Sequence, residues 1–474
     1  MSMESPLPHG KHPEAVIGRI APWRVLLPPV VLALLLGLWG LDRGGSMWRD
    51  ESVTWQVAHR PAGDLVELLG RVDAVHGLYY LLMHAVFAGW ESGGLWALRL
   101  PSVAATALAA AGVAAVGHRL ACMRAAEPAA DRGAARAGLC AGLLYALLPP
   151  VQMYAQEGRS YALVAAAVVW ATYLLLRERW VPYTVLLVLA CWLHEFAVLA
   201  LLAHAVPGWR ARGWRRSAAV VVLLLLPLAV LSAGQAAQQL GWLGRPKGAD
   251  WAAYAVVAAV SLLLARGADR ELVRVALPLA LLPAGLLMTV SLVNPWYVDR
   301  YVLYSLAGLA LLAGAARPRV LLPLAAVLVA VAVPWSLWLR TPESRKDDVL
   351  AVADAVRATA RPGDAVLFQP ARRREWLLSS PEVYGSLHDL ALARTPTASR
   401  TLQGTELPSQ EIRARLFDAP RVLVLLDPAD QPRDPYPREV VKRQTLVSQF
   451  DLCSIREIRG ARVALYARPG ECPN

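Results

Sequence analysis

The sequence predicts a polytopic α-helical membrane protein carrying a small α/β domain outside the membrane at its C-terminal end. Three observations support this. Only 18% of the 474 residues are Asp, Glu, Lys or Arg, against about 25% in soluble domains, while 56% are hydrophobic and mean hydropathy is +0.40. Apolar windows long enough to span, or nearly so, recur up to about residue 338. Beyond Thr341 the pattern changes to short apolar runs in a charged background. Together these exclude a disordered chain, a disulfide-stapled mini-protein and an ordinary soluble enzyme.

A helix crosses the roughly 30 Å hydrocarbon core with about 20 apolar residues. Windows approaching that length lie at 24–41, 98–120, 137–152, 161–176, 181–193, 196–207, 217–233, 251–265, 275–293, 301–315 and 320–338, which predicts about eleven spans. The first is not read as a cleaved signal peptide, because it lacks an A-x-A-like cleavage site and ten further windows follow it. His76–Trp90 is apolar but only about 15 residues long, which suits an interfacial helix better than a span.

Charge then fixes the expected orientation. Net charge is +12, but the basic residues do not gather into one nucleic-acid-binding patch. If 76–90 does not cross, 18 Lys and Arg fall in cytoplasmic loops and 10 outside, counted before residue 341; if it crosses, most of the clusters move outside. The positive-inside bias favours the first arrangement. It predicts a cytoplasmic N-terminal tail over 1–23, a transmembrane catalytic domain over 24–340 and an extracytoplasmic α/β domain over 341–474, in a multi-pass cell-membrane protein.

The last third holds 20 basic and 18 acidic residues. Strands are expected over 364–368, 421–426 and 461–466, with helices over 346–360 and 437–450. Cys122, Cys140 and Cys191 fall in or near spans and are expected to pack. Cys453 and Cys472 lie in the outer domain, where a disulfide is chemically allowed; their sequence separation leaves the pairing open. There is no CxxC, zinc-ligand spacing, GxGxxG or P-loop.

Ionisable residues beside the bilayer are costly and mark functional sites. Five groups converge on the outer face. Asp50 and Glu51 are adjacent, flanked by Trp48 and Trp55; like charges so close raise at least one pKa, which suits a general base. Asp73 and His76 share a helix face. Glu157 and Arg159 sit in a short turn between apolar helices, and His194-Glu195 in another. Arg300 and Tyr301 sit at the mouth of a span, where a guanidinium can hold a phosphate bidentately. Each group also has a structural reading: belt-anchored loop, helix cap, Glu157–Arg159 ion pair, polar punctuation, snorkelling arginine.

Carboxylates and a phosphate-binding arginine on one outer face suit transfer of a group from a lipid-linked phosphate donor. Asp50 would deprotonate or orient an acceptor hydroxyl; Arg300, with Arg159, would stabilise the departing polyprenyl phosphate. The rival class is a transporter or flippase of a lipid-linked cell-envelope intermediate. Transporters favour paired repeats and broken helices at mid-membrane, and no repeat is visible here.

The order WRDES, DAVHGLYY, RLPS, YAQEGRSYAL, HE and DRY resembles the GT-C superfamily of membrane glycosyltransferases. The similarity is greatest to the branch of the dolichyl-phosphate-mannose protein mannosyltransferases and the lipid A aminoarabinose transferase, over roughly 24–310. The resemblance implies a GT-C fold with juxtamembrane helices in the first outer loop. It implies that Asp50 is the catalytic acid/base with Glu51 beside it, that Glu157 is the second acidic site, and that Asp73 and His76 line the acceptor or donor pocket. Arg300 and Tyr301 would contact the donor phosphate, with Arg159 and His194 among the substrate-binding residues. Two departures stand out: His76-Gly77 replaces a Pro-Pro pair, and Glu157 replaces a common aspartate. The implied partners are a polyprenyl-phosphate sugar, a glycan, lipid or protein acceptor, and membrane lipids, with no nucleic acid. The family divides on metal use; Asp50 and Glu157 are the candidate ligands should Mg²⁺ or Mn²⁺ be used.

Overall fold

The computed structural model describes residues 21–124, 130–240 and 244–472, so the expected tail lies, up to residue 20, outside the described residues. The membrane domain begins with α1 (Trp23–Leu38), followed on one side by α2 (Arg49–Ala58), α3 (Ala62–Leu69) and α4 (Gly77–Gly89). The remaining helices are α5 (Gly94–Arg124), α6 (Ala130–Leu147), α7 (Pro149–Ala155), α8 (Tyr161–Leu175), α9 (Trp180–Leu193) and α10 (Ala200–Gly208). They continue as α11 (Arg212–Leu240), α12 (Gly248–Ala265), α13 (Arg270–Val290), α14 (Leu306–Gly314) and α15 (Pro318–Leu339).

Every apolar window is helical in whole or in part. Six helices are long and apolar enough to cross a membrane, or seven if α6 and α7, bent by 66° where they meet, form one span. The other four windows fall on α8, α9, α14 and the 195–208 segment, where the longest α-helix has 15 residues, short of the ~20 a span needs. The physical cause is interruption. Pro149 lacks the N–H that would continue α6, and 3₁₀ turns at Glu195–Leu199 and Asp299–Ser305 break the other runs. The two 3₁₀ breaks bring His194 and Arg300 to the wall of one cavity.

The best-buried span is the α5 stretch, 78% buried, whereas α12 is 6% buried and presents its side chains outward. Small residues let α5 and α6 approach closely: a Cβ on Gly138 would sit 2.6 Å from the Ala114 carbonyl oxygen, and one on Gly142 2.9 Å from that of Ala110. Of α4, Tyr79, Tyr80, Met83 and Phe87 are buried while Leu81 and Leu82 remain exposed.

The C-terminal part is a mixed α/β unit. Its strands are β1 (Ala365–Gln369), β2 (His388–Asp389), β3 (Leu392–Arg394), β4 (Thr405–Glu406), β5 (Arg421–Leu426), β6 (Asp451–Ile458) and β7 (Ala461–Ala467). Five form a sheet ordered β2-β1-β5-β7-β6, with β1 parallel to β2 and β5, and β7 antiparallel to β5 and β6. Helices α16 (Val349–Thr359), α17 (Ser409–Asp418) and α18 (Pro437–Gln449) flank it. The three expected strands and two expected helices are present within a few residues. Strand β6, at the sheet edge, was not legible: most of its residues are exposed, so it carries little apolar signal. Cys453 and Cys472 are disulfide-bonded, with Cα atoms 5.3 Å apart.

The two parts are joined by backbone as well as side chains. Val349 N–H donates to the Met47 carbonyl (2.7 Å), and Arg49 N–H donates to Asp347 Oδ1 (2.8 Å). Asp348 caps α16 through Ala351 N–H and also accepts from Met47 N–H. Arg400 reaches across to Glu67 at 2.6 Å.

Candidate active site at the boundary of the two domains

Neighbouring residues on a helix point about 100° apart, and that separates the two acids that open α2. Asp50 lines a cavity of about 1160 Å³ between the helices and the C-terminal α/β unit. Glu51 points the other way and is fully buried. Arg99 clamps it bidentately at 2.8 Å, Arg43 binds it at 2.7 Å, and Gly158 N–H donates to it at 3.0 Å. Burial would raise its pKa, but the two guanidinium groups and the amide hold it at about 2. The raised pKa expected from adjacency therefore does not occur at Glu51, because the cations around it outweigh burial. Arg99 also donates to the carbonyls of Leu41 and Ser46. The two most specific parts of the sequence pattern, the acid pair and RLPS, thus meet in one buried brace.

Arg300 faces Asp50. Its Nη2 lies 3.2 Å from Asp50 Oδ2 and its Nε donates to the Tyr161 hydroxyl at 3.0 Å. The guanidinium lies over the rings of Trp48, Tyr161 and Tyr301, 5.5–5.7 Å from their centroids. Planar stacking and hydrogen bonds fix its orientation. His194 packs on Tyr301 with centroids 4.3 Å apart and on His76 at 5.7 Å. Asp50, Asp73, His76, Arg159, His194, Arg300 and Tyr301 all line the same cavity.

Asp73 adopts a left-handed backbone (φ 61°) and makes no side-chain cap, so the helix-cap alternative is not realised. Its carboxylate accepts a short hydrogen bond from the Tyr80 hydroxyl. Arg159 Nη1 lies 3.1 Å from the same hydroxyl. Burial raises the Asp73 pKa, against the pull of Arg159 and Tyr80.

Glu157 is buried behind the cavity wall rather than on it. The Glu157–Arg159 pair does not form; Arg345, from the segment that leads into the C-terminal α/β unit, lies 3.3 Å from Glu157 instead. Burial, only partly offset by Arg345 and Arg300, pushes the Glu157 carboxyl up to about 7. Asp50 and Glu157 each face a guanidinium, and among the described residues no group of three or more His, Cys, Asp or Glu gathers as a metal site.

The C-terminal α/β unit supplies lining residues that the sequence reading missed: Arg372, Arg373, Glu375, Gln403, Gln431 and Tyr436. Most follow the carboxyl ends of the parallel strands β1 and β5, the position where open α/β sheets bind ligands. The signal was the charged run Arg372-Arg373-Arg374-Glu375 immediately after a strand. Arg374 anchors it by turning inward to Asp389 (2.5 Å) and Glu406 (3.0 Å). Glu375 makes no side-chain hydrogen bond among the described residues; burial, then the neighbouring Asp73, pushes its carboxyl up to about 7.

No protein-family model and no curated protein matches the sequence. Solved structures do match the fold. One is ArnT from Cupriavidus metallidurans bound to undecaprenyl phosphate, with a TM-score of 0.57 and 14% identity over 94% of this chain and 98% of that one. Another is the same protein in the apo state, with a TM-score of 0.54 and 13% identity over 93% and 97%. The chain therefore has an ArnT-like fold, that of the aminoarabinose transferase branch its motifs resemble.

Proposed function

We infer that the protein is a membrane glycosyltransferase that moves a sugar from a polyprenyl-phosphate donor to an acceptor on the outer face of the cytoplasmic membrane. The observation that carries the reading is the Asp50–Arg300 pair at the wall of the large cavity. The undecaprenyl phosphate bound by the fold neighbour supports the donor class.

In this reading the acceptor oxygen attacks the anomeric carbon, the bond from that carbon to the phosphate oxygen breaks, and the acceptor proton passes to Asp50. Polyprenyl phosphate leaves carrying the extra negative charge. Arg300 is oriented to receive it, with Arg159 as the second cation on the same wall. The phosphate competes with Asp50 for Arg300, so donor binding releases the carboxylate for its role as base. His76, His194 and Tyr301 pack the remaining wall, and Asp73 binds sugar or acceptor hydroxyls. Glu51, whose oxygens are already occupied, holds the start of α2 in place rather than acting on substrate. Glu157 sits behind the site and tunes its field. The concentration of basic clusters at loops away from the outer domain supports a cytoplasmic placement of that side.

The test is binding of undecaprenyl phosphate to purified protein. Arg300→Lys, which keeps the charge but loses the planar fork and its stacking, is expected to weaken binding by about tenfold. Unchanged affinity contradicts the assignment.

A further inference from the structure

A second concavity, of about 670 Å³, lies on the C-terminal α/β unit between α17 and α18. Three arginines converge on it: Arg413 from α17, Arg433 from the loop before α18, and Arg443 from α18. No acidic residue lines it, and among the described residues none of the three makes an ion pair or a side-chain hydrogen bond. Arg413 is steadied over the Phe417 ring at 5.5 Å. Arginines nearer the large cavity and the sheet are neutralised, Arg372 and Arg373 on Asp427, Arg374 on Asp389 and Glu406, Arg421 on Asp364. Exposed arginines such as Arg415 and Arg438 are likewise unpaired among the described residues but do not gather around a concavity. Glu411, on α17 itself, does not line the groove.

Three like charges left unpaired around one concavity create a positive potential that favours an anionic occupant. The groove is also lined by Gln410, Gln444 and Ser448, whose amide and hydroxyl groups match sugar hydroxyls, and by Val440, Val441 and Val447, which can pack against the apolar faces of sugar rings. We propose that this groove binds an anionic saccharide, with Arg413, Arg433 and Arg443 on its carboxylate or phosphate groups. Its location gives the binding a use. The loop between β5 and α18 contributes Arg433 to the groove and Gln431 and Tyr436 to the large cavity. An acidic glycan held in the groove is therefore one loop away from the cavity. The proposal does not depend on the glycosyl-transfer reading.

The experiment measures binding to the full-length protein in detergent at low salt. The probes are an oligogalacturonate, a neutral maltooligosaccharide of equal length, and vesicles of phosphatidylcholine with phosphatidylglycerol. The parent is expected to bind the oligogalacturonate, with affinity falling as salt rises, and not the neutral sugar. The triple change Arg413→Gln, Arg433→Gln, Arg443→Gln is expected to weaken that binding by about tenfold or more. Arg415→Gln with Arg438→Gln, exposed positions that do not line the groove, is expected to leave it unchanged and controls for loss of general charge. Equal weakening by the control pair, no binding by the parent, or arginine-dependent binding of the vesicles in place of the oligosaccharide would each overturn the proposal.

Discussion

Asp50 and Glu51 are chemically near-identical neighbours with opposite surroundings. Glu51 is closed in by Arg43, Arg99 and an amide, while Asp50 meets the cavity. The sequence made the pair visible but not the division between them, because that depends on where α2 begins. Breaking a buried ion pair by removing one partner costs about 3–5 kcal/mol. Glu51→Gln, which leaves Arg43 and Arg99 buried without their counter-ion, is therefore expected to lower thermal stability strongly and reduce the yield of folded protein. A variant with normal melting and reduced activity would instead place Glu51 in the chemistry. The partner of Glu157 was equally hidden: Arg345, remote in sequence, is brought to it only by the fold.

At the scale of elements, the breaks in the helices matter more than the helices. Hydropathy located each apolar window, yet the 3₁₀ turns at 195–199 and 299–305 were not legible, since their backbone is set by packing rather than by composition. The turn from α7 to α8 holds Glu157, and its ionisation makes that turn pH-sensitive. Its folded-state pKa, about 7, lies above the ordinary 4.5, so between those values the folded protein binds more protons than the unfolded chain. Stability is then greatest below the ordinary pKa and falls as pH rises toward 7. Glu375, pushed up to about 7 in the same way, acts in the same direction. Glu157→Gln is expected to flatten the decline of melting temperature over this window, and Glu157→Gln with Glu375→Gln to flatten it further. A decline as steep as the parent's contradicts the burial argument.

At the scale of the whole molecule, the chain has an ArnT-like fold with six or seven helices of spanning length and a mixed α/β unit over one end. Fold class was legible because charge deficit and hydropathy are summed over hundreds of residues. The bipartite cavity was not, because its second wall, from the C-terminal α/β unit, is made by loops remote in sequence from Asp50. The two parts meet at Met47–Arg49 and Asp347–Val349. A cysteine placed at Asp50 and one placed at exposed Arg415 are accordingly expected to react with an impermeant thiol reagent from the same side of the membrane; labelling from opposite sides contradicts a shared cavity.

The central claim is that Asp50 and Arg300 transfer sugar from a polyprenyl-phosphate donor. It is tested most directly by release of undecaprenyl phosphate from a panel of undecaprenyl-phosphate sugars, offered with cell-envelope acceptors to the reconstituted protein. The account predicts turnover of one donor by the parent and a loss of about 10²–10⁴-fold in Asp50→Asn at unchanged melting temperature. Parent-like turnover by Asp50→Asn, or lipid movement across the vesicle without sugar transfer, would contradict it.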